Sequence, residues 1–178
     1  PDPEGIANGQ PAMTCAWPAA VAVTSSGALC TGSLVHPRVV MFAAHCGAGN
    51  KKVKFGQSVA TPSQIVSTEL CMTYPGYSGV NDQEHDWAFC RLAEPITDIP
   101  TTPVVYGCET SMVQANVEVA VTGYGLTMEG GQADSKNWGL TPIHSVGSMS
   151  ADVGGFGDPG ICPGDSGGPM YLLTPYGD

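Results

Sequence analysis

Basic residues are scarce in this sequence: six lysines and arginines stand against 16 aspartates and glutamates among 178 residues, a formal net charge of −10. Without a basic patch to neutralise phosphates, nucleic acid is excluded as a partner, and an anionic membrane surface would repel the chain. Long apolar runs are also missing, and none approaches the roughly 18 residues of a membrane-spanning helix. No stretch longer than about ten residues carries an apolar stripe of 3.6-residue period, which argues against a helical bundle. No Cys-x-x-Cys pair occurs, so a zinc or thioredoxin-type site has no support. No acidic loop suited to calcium is evident around Gly56–Ile65. A hydrophobic leader is absent too, and the polar Pro1–Gly5 reads as the start of a processed form, a leader or propeptide remnant.

Turn formers are abundant instead. Twenty-four glycines and 15 prolines make up about a fifth of the chain, against roughly 12% in average usage. Apolar residues are spread along the whole length, which argues against disorder. Short β-prone runs recur at Ala19–Thr24, Ala28–Leu34, Val39–Ala43, Lys51–Phe55, Ile65–Met72 and Asp86–Leu92, then at Val117–Thr122, Ile143–Ser148 and Gly168–Leu173. Lys51–Phe55 alternates charged and apolar residues, the signature of a half-buried strand. Ala43–Ala48 has room for one helical turn, and Pro1–Pro11 reads as a tail and loop. The spacing predicts an all-β barrel or sandwich. Seven dispersed cysteines, at 15, 30, 46, 71, 90, 108 and 162, predict disulfides formed in a secreted or other oxidising extracytoplasmic compartment, with one cysteine left over.

Three segments carry chemistry. Gly164-Asp165-Ser166-Gly167-Gly168-Pro169 gives a serine the flanking glycines that an exposed nucleophile needs. The backbone N–H groups of Gly164 and Ser166 would converge there as an oxyanion hole. A plain surface turn is the other reading of such a segment. Phe42-Ala43-Ala44-His45-Cys46 places a histidine after a strand of small residues, which suits a rigidly held base and equally a buried structural histidine. In His85-Asp86-Trp87-Ala88-Phe89 a carboxylate opens an apolar strand; it needs a hydrogen-bond partner, whether an imidazole or a strand-capping amide. The order His45, Asp86, Ser166 matches the chymotrypsin triad and differs from that of subtilisin or the α/β-hydrolases.

With Ile6-Ala7-Asn8-Gly9, Cys30-Thr31-Gly32-Ser33-Leu34, Ala43-Ala44-His45-Cys46, Asp86-Trp87-Ala88, Val121-Thr122-Gly123-Tyr124-Gly125 and Gly164–Pro169, the sequence resembles the chymotrypsin/trypsin family of serine peptidases. The resemblance runs from Ile6 to about Leu173. It implies two six-stranded antiparallel β-barrels with a cleft between them: a first barrel over about 6–95, a connector over about 96–110 and a second barrel over about 111–178. It implies a serine endopeptidase acting on polypeptides through an acyl-enzyme on Ser166, with His45 as base and Asp86 orienting it, and with no cofactor or metal. It also implies disulfides Cys30–Cys46, Cys71–Cys90 and Cys15–Cys108.

Three departures qualify that picture. Only twelve residues follow Ser166, so the second barrel is expected to be incomplete at its C-terminal end. Cys162 resembles a cysteine whose family partner lies further along. A second chain from the same precursor is therefore expected, joined at Cys162 after nicking in the turn Thr174–Asp178. Pro1–Gly5 still precedes Ile6, whose free amine would otherwise form the family's activation ion pair with Asp165; this suggests a zymogen-like form. Gly160 occupies the position of the trypsin pocket aspartate, with Pro163 at the rim, which favours an apolar or small P1 residue, although Asp158 could reach inward. A catalytically silent protease-like domain that binds a partner is the competing reading. His36 and His85 read as loop residues, His144 as a strand residue, the three tryptophans as packing, and Lys51, Lys52 and Lys54 as a solvated face.

Overall fold

Alternation builds the first lobe. In Lys52–Phe55, Val53 and Phe55 are buried while the intervening lysines point away from the core, as the pleat requires. The computed structural model describes residues 6–126, 134–155 and 157–173, and the readings made on Pro1–Gly5 and Thr174–Asp178 lie outside them. After a two-residue strand β1 (Gln10–Pro11) come β2 (Ala20–Ser25), β3 (Ala28–His36), β4 (Val39–Phe42), β5 (Lys52–Phe55), β6 (Gln64–Thr73) and β7 (Ala88–Leu92). These last six close into an antiparallel barrel in the order β2-β3-β4-β7-β6-β5. Val21, Leu34, Val40, Phe55, Cys90 and Leu92 are among the side chains that fill it.

The second lobe is an open antiparallel sheet of β8 (Glu118–Gly123), β9 (Asn137–Val146), β10 (Ala151–Val153) and β11 (Met170–Leu172), ordered β1-β9-β8-β11 with β10 on β9. The protein is thus all-β, with one closed six-stranded barrel and a second sheet that is not closed. Strand β9 begins six residues earlier than its sequence suggests. Gly139 and Pro142 depress strand propensity there, yet a continuous ladder to β8, from Gly123 opposite Asn137 to Glu118 opposite Pro142, holds the strand. Strands β1 and β10 are too short for any periodicity to mark them. Between the lobes runs an irregular connector that ends in a 3-10 turn at Gly107–Met112.

Two sequence expectations are corrected here. Lys51 does not sit on a solvated face. It is buried, and its ammonium donates to the Cys46 and Ala48 carbonyls at 3.2 and 3.3 Å, anchoring the turn that carries His45. Burial lowers its pKa. Cys15 and Cys108 are not bonded: Cys15 lies in a turn with left-handed backbone (φ 67°), Cys108 on the Gly107–Met112 turn, and each is free and exposed to solvent. Cys71 and Cys90 face each other across β6 and β7 and are bonded.

The lobes are laced by buried polar groups rather than by apolar packing alone. Tyr124, after β8, offers its hydroxyl to the Gly56 and Ala20 carbonyls. Lys136, also buried, donates to the Trp17 carbonyl at 2.8 Å and lies over the Tyr124 ring; desolvation pushes its pKa down to about 8. Asp134 accepts from Ser58 Oγ and from the Ala60 N–H at 2.7 Å.

Candidate active site

The 3-10 turn Ala44–Cys46 follows β4 and presents His45 at the barrel's edge. Its position is fixed on three sides. Lys51 holds the carbonyls behind it, the Cys30–Cys46 disulfide ties the turn to β3, and Asp86 grips it from the mouth of β7. One Asp86 oxygen accepts the His45 backbone N–H at 2.8 Å, and the other lies 2.5 Å from His45 Nδ1. A carboxylate so engaged holds the Nδ1–H tautomer and leaves Nε2 as the basic nitrogen. The polar residue that opens strand β7 therefore has its partner, and that partner is the imidazole together with its own backbone.

Ser166 comes from the other lobe, on the loop that leads to β11. Gly164 and Gly167 adopt φ values of 102° and 81°, a region closed to most L-residues. A side chain at Gly167 would run into the Ala43 backbone and the Thr31 carbonyl. Thr31 on β3 is the pin for this loop. Its N–H donates to the Ser166 carbonyl at 3.0 Å, its hydroxyl donates to the Gly164 carbonyl at 2.9 Å, and the same hydroxyl accepts the Tyr124 N–H. With these carbonyls occupied, the Gly164 and Ser166 N–H groups have no acceptor among the described residues.

His45, Asp86 and Ser166 line one cleft of about 560 Å³, walled by apolar groups that include Met41, Val104, Val113, Ile161 and Met170. No hydrogen bond joins the His45 ring to the Ser166 hydroxyl among the described residues.

Asp165, beside the serine, is buried and has no cationic partner among the described residues. It accepts the Gly125 N–H at 2.6 Å and the Cys162 N–H at 2.9 Å. Desolvation outweighs these two bonds and pushes its pKa up to about 6. Gly123 and Gly125 leave the carboxylate its space, since a Cβ at either would collide with it. Ile6 is fully buried, and Ala7 and Asn8 bond to Gly160 and Gly157. No hydrogen bond or ion pair joins Ile6 to Asp165.

Gly160 packs on Ala7 and Gly154, and neither it nor Pro163 lines the cleft, whereas Ile161 does. Asp158 turns away toward His144, with its carboxylate 3.4 Å from Nε2. His85 pairs with Asp82 at 2.9 Å and stacks on Tyr74. Trp17 stacks on Tyr171 and packs against Trp138. Cys162 is free. Sequence reasoning missed Thr31, although its place in the Cys30–Leu34 motif marked the strand, and it missed Tyr124 and Lys136, whose roles exist only across the lobes.

Comparisons with known proteins agree with this geometry. The trypsin family model matches residues 6–176. The chain is similar to granzyme M of Homo sapiens, 27% identical over 165 residues that cover 80% of this chain and 63% of the relative, so it spans just under two thirds of that protein. It is similar to trypsin of Sus scrofa, 25% identical with 95% of this chain and 80% of the relative covered. It is also similar to brachyurin of Leptuca pugilator, 29% identical over 97% of this chain and 86% of the relative. The chain belongs to the trypsin family of serine peptidases.

Proposed function

We propose that this chain is a secreted serine endopeptidase that cleaves polypeptides through an acyl-enzyme on Ser166. The observation that carries the reading is the double grip of Asp86 on His45, with Ser166 on the facing wall of the same cleft. His45 takes the hydroxyl proton as Ser166 attacks the scissile carbonyl, and the developing oxyanion is met by the Gly164 and Ser166 N–H groups. The imidazolium then protonates the leaving amine, Asp86 stabilises it, and water hydrolyses the ester. An apolar or small P1 residue fits the apolar cleft wall. The two disulfides suit an oxidising extracytoplasmic compartment.

Buried Asp165, with no cation beside it among the described residues, is the acceptor that a freed Ile6 amine would meet; this supports a zymogen-like form activated by removal of Pro1–Gly5. The free Cys162 and the open second sheet support a second chain from the same precursor that completes the lobe. A fluorophosphonate probe tests the reading. The mature chain should label covalently at Ser166, with Ser166→Ala unlabelled. Absence of label after release of the Ile6 amine and supply of the second chain would favour a silent binding domain.

A further inference from the structure

Three consecutive amides after β8 face the serine loop and its pin. The Tyr124 N–H donates to Thr31 Oγ1 at 3.1 Å, and that hydroxyl donates onward to the Gly164 carbonyl at 2.9 Å. The Gly125 N–H donates to Asp165 Oδ1 at 2.6 Å, and the Leu126 N–H to the Pro163 carbonyl at 2.8 Å. Pro163, Gly164 and Asp165 are thus held from one short segment, and the side chain of its first residue holds that segment in turn. Tyr124 is 1% exposed. Its hydroxyl donates across to the first lobe, to the Gly56 carbonyl at 2.6 Å, with the Ala20 carbonyl at 3.2 Å.

We propose that Tyr124 is a positioning residue for acyl transfer: through its hydroxyl the first lobe sets the place of the Tyr124–Leu126 backbone, and through that backbone the aim of the Gly164 and Ser166 N–H groups. The role in catalysis rests on the serine-peptidase reading, whereas the tether itself does not.

The mooring is rigid. Gly56 adopts φ 111°, and a Cβ there would meet the Ser63 nitrogen at 2.9 Å, so the turn that offers its carbonyl admits glycine alone. Just beyond it, the Lys136 N–H donates to the Gln57 carbonyl and the Val59 N–H to the Asp134 carbonyl, which fixes the acceptor against the second lobe. The Lys136 ammonium lies 5.6 Å from the centre of the Tyr124 ring and favours that ring orientation. Burial pushes the Tyr124 phenol up, so the hydroxyl stays protonated and remains a donor through neutral and mildly alkaline pH. Without it a buried carbonyl loses its partner, and the segment is free to shift. Any shift passes to three residues of the loop, and transition-state stabilisation falls steeply when donors are misplaced.

The test compares the wild-type chain with Tyr124→Phe, which keeps the ring and removes the hydroxyl, each with the Ile6 amine released and the second chain supplied. The maximal rate of fluorophosphonate labelling at Ser166 should fall by about tenfold, with the half-saturating probe concentration unchanged. Amide exchange should quicken at Thr31, Gly125 and Gly168, whose hydrogen bonds close around the serine loop, and stay as it was along the β4–β7 ladder. Val66→Ala, in the core of the barrel, should lower the denaturation midpoint and leave the labelling rate of folded molecules unchanged. A Tyr124→Phe variant that labels at the wild-type rate would overturn the proposal. So would exchange quickened equally over the whole barrel, the mark of a hydroxyl that serves stability alone. The wild-type chain supplies a test without any substitution: the Thr31, Gly125 and Gly168 amides should open together, with one common protection from exchange. A Gly125 amide that opens far more readily than the other two would refute the tether, even should the variant not fold. A wild-type chain that never labels, yet exchanges as described, would refute the peptidase reading and leave the tether standing.

Discussion

At the scale of single residues, the site is an exercise in satisfying polar groups. Asp86 spends one oxygen on a backbone amide and the other on the imidazole, so it orients the ring and its turn together. Asp86→Asn should keep the backbone bond yet favour the wrong tautomer, lowering kcat by about 10⁴-fold with little change in KM; steady-state kinetics on a peptide substrate check this. Asp165 makes the pH dependence. Its folded carboxyl keeps a proton to about pH 6, while the unfolded chain releases it near 3.9. The folded state therefore binds more protons in that window. The favourable contribution is complete at lower pH and is lost as pH rises through about 6. Relative to Asp165→Asn, the chain should lose about 2 kcal/mol of stability between pH 4 and 7, measured by denaturant titration. A flat difference would show that the carboxyl is already paired with a cation.

Among the elements, what was legible and what was not divide along one line. Strands whose burial is local were plain in the sequence. The Lys52–Phe55 alternation and the apolar runs of β2 to β4 and β7 mark the barrel because each strand buries a face by its own pattern. Phe55→Ala should accordingly cost 3–5 kcal/mol, read as a drop in the denaturation midpoint. The front half of β9 and the short strands β1 and β10 were not legible, since they are held by partners distant in sequence. The candidate catalytic segments stood out because glycine-flanked serine and His-Cys segments are distinctive. The lining of the cleft was not legible, because it depends on how Ile161, Asp158 and His144 turn, and neither spacing nor composition encodes that. Lys51 fails for the same reason: three nearby lysines look solvated until the turn at Cys46–Ala48 supplies carbonyls to receive one of them.

For the molecule as a whole, the link between lobes governs the site. The serine loop belongs by sequence to the second sheet but is fastened to β3 through Thr31. Thr31→Val keeps the shape and removes the hydroxyl, leaving the Gly164 carbonyl and Tyr124 amide unpaired. Stability should fall by about 1–3 kcal/mol, and the rate of fluorophosphonate labelling should fall with it. If labelling is unchanged while stability drops, the hydroxyl serves the fold alone.

That fastening also ties the second lobe's loop to the first. Thr31 on β3 holds the Ser166 loop, and the His45 turn follows β4 in the same barrel, so both side chains are anchored to one wall. Under the proposed function, the distance over which the proton passes would then be set within the first barrel.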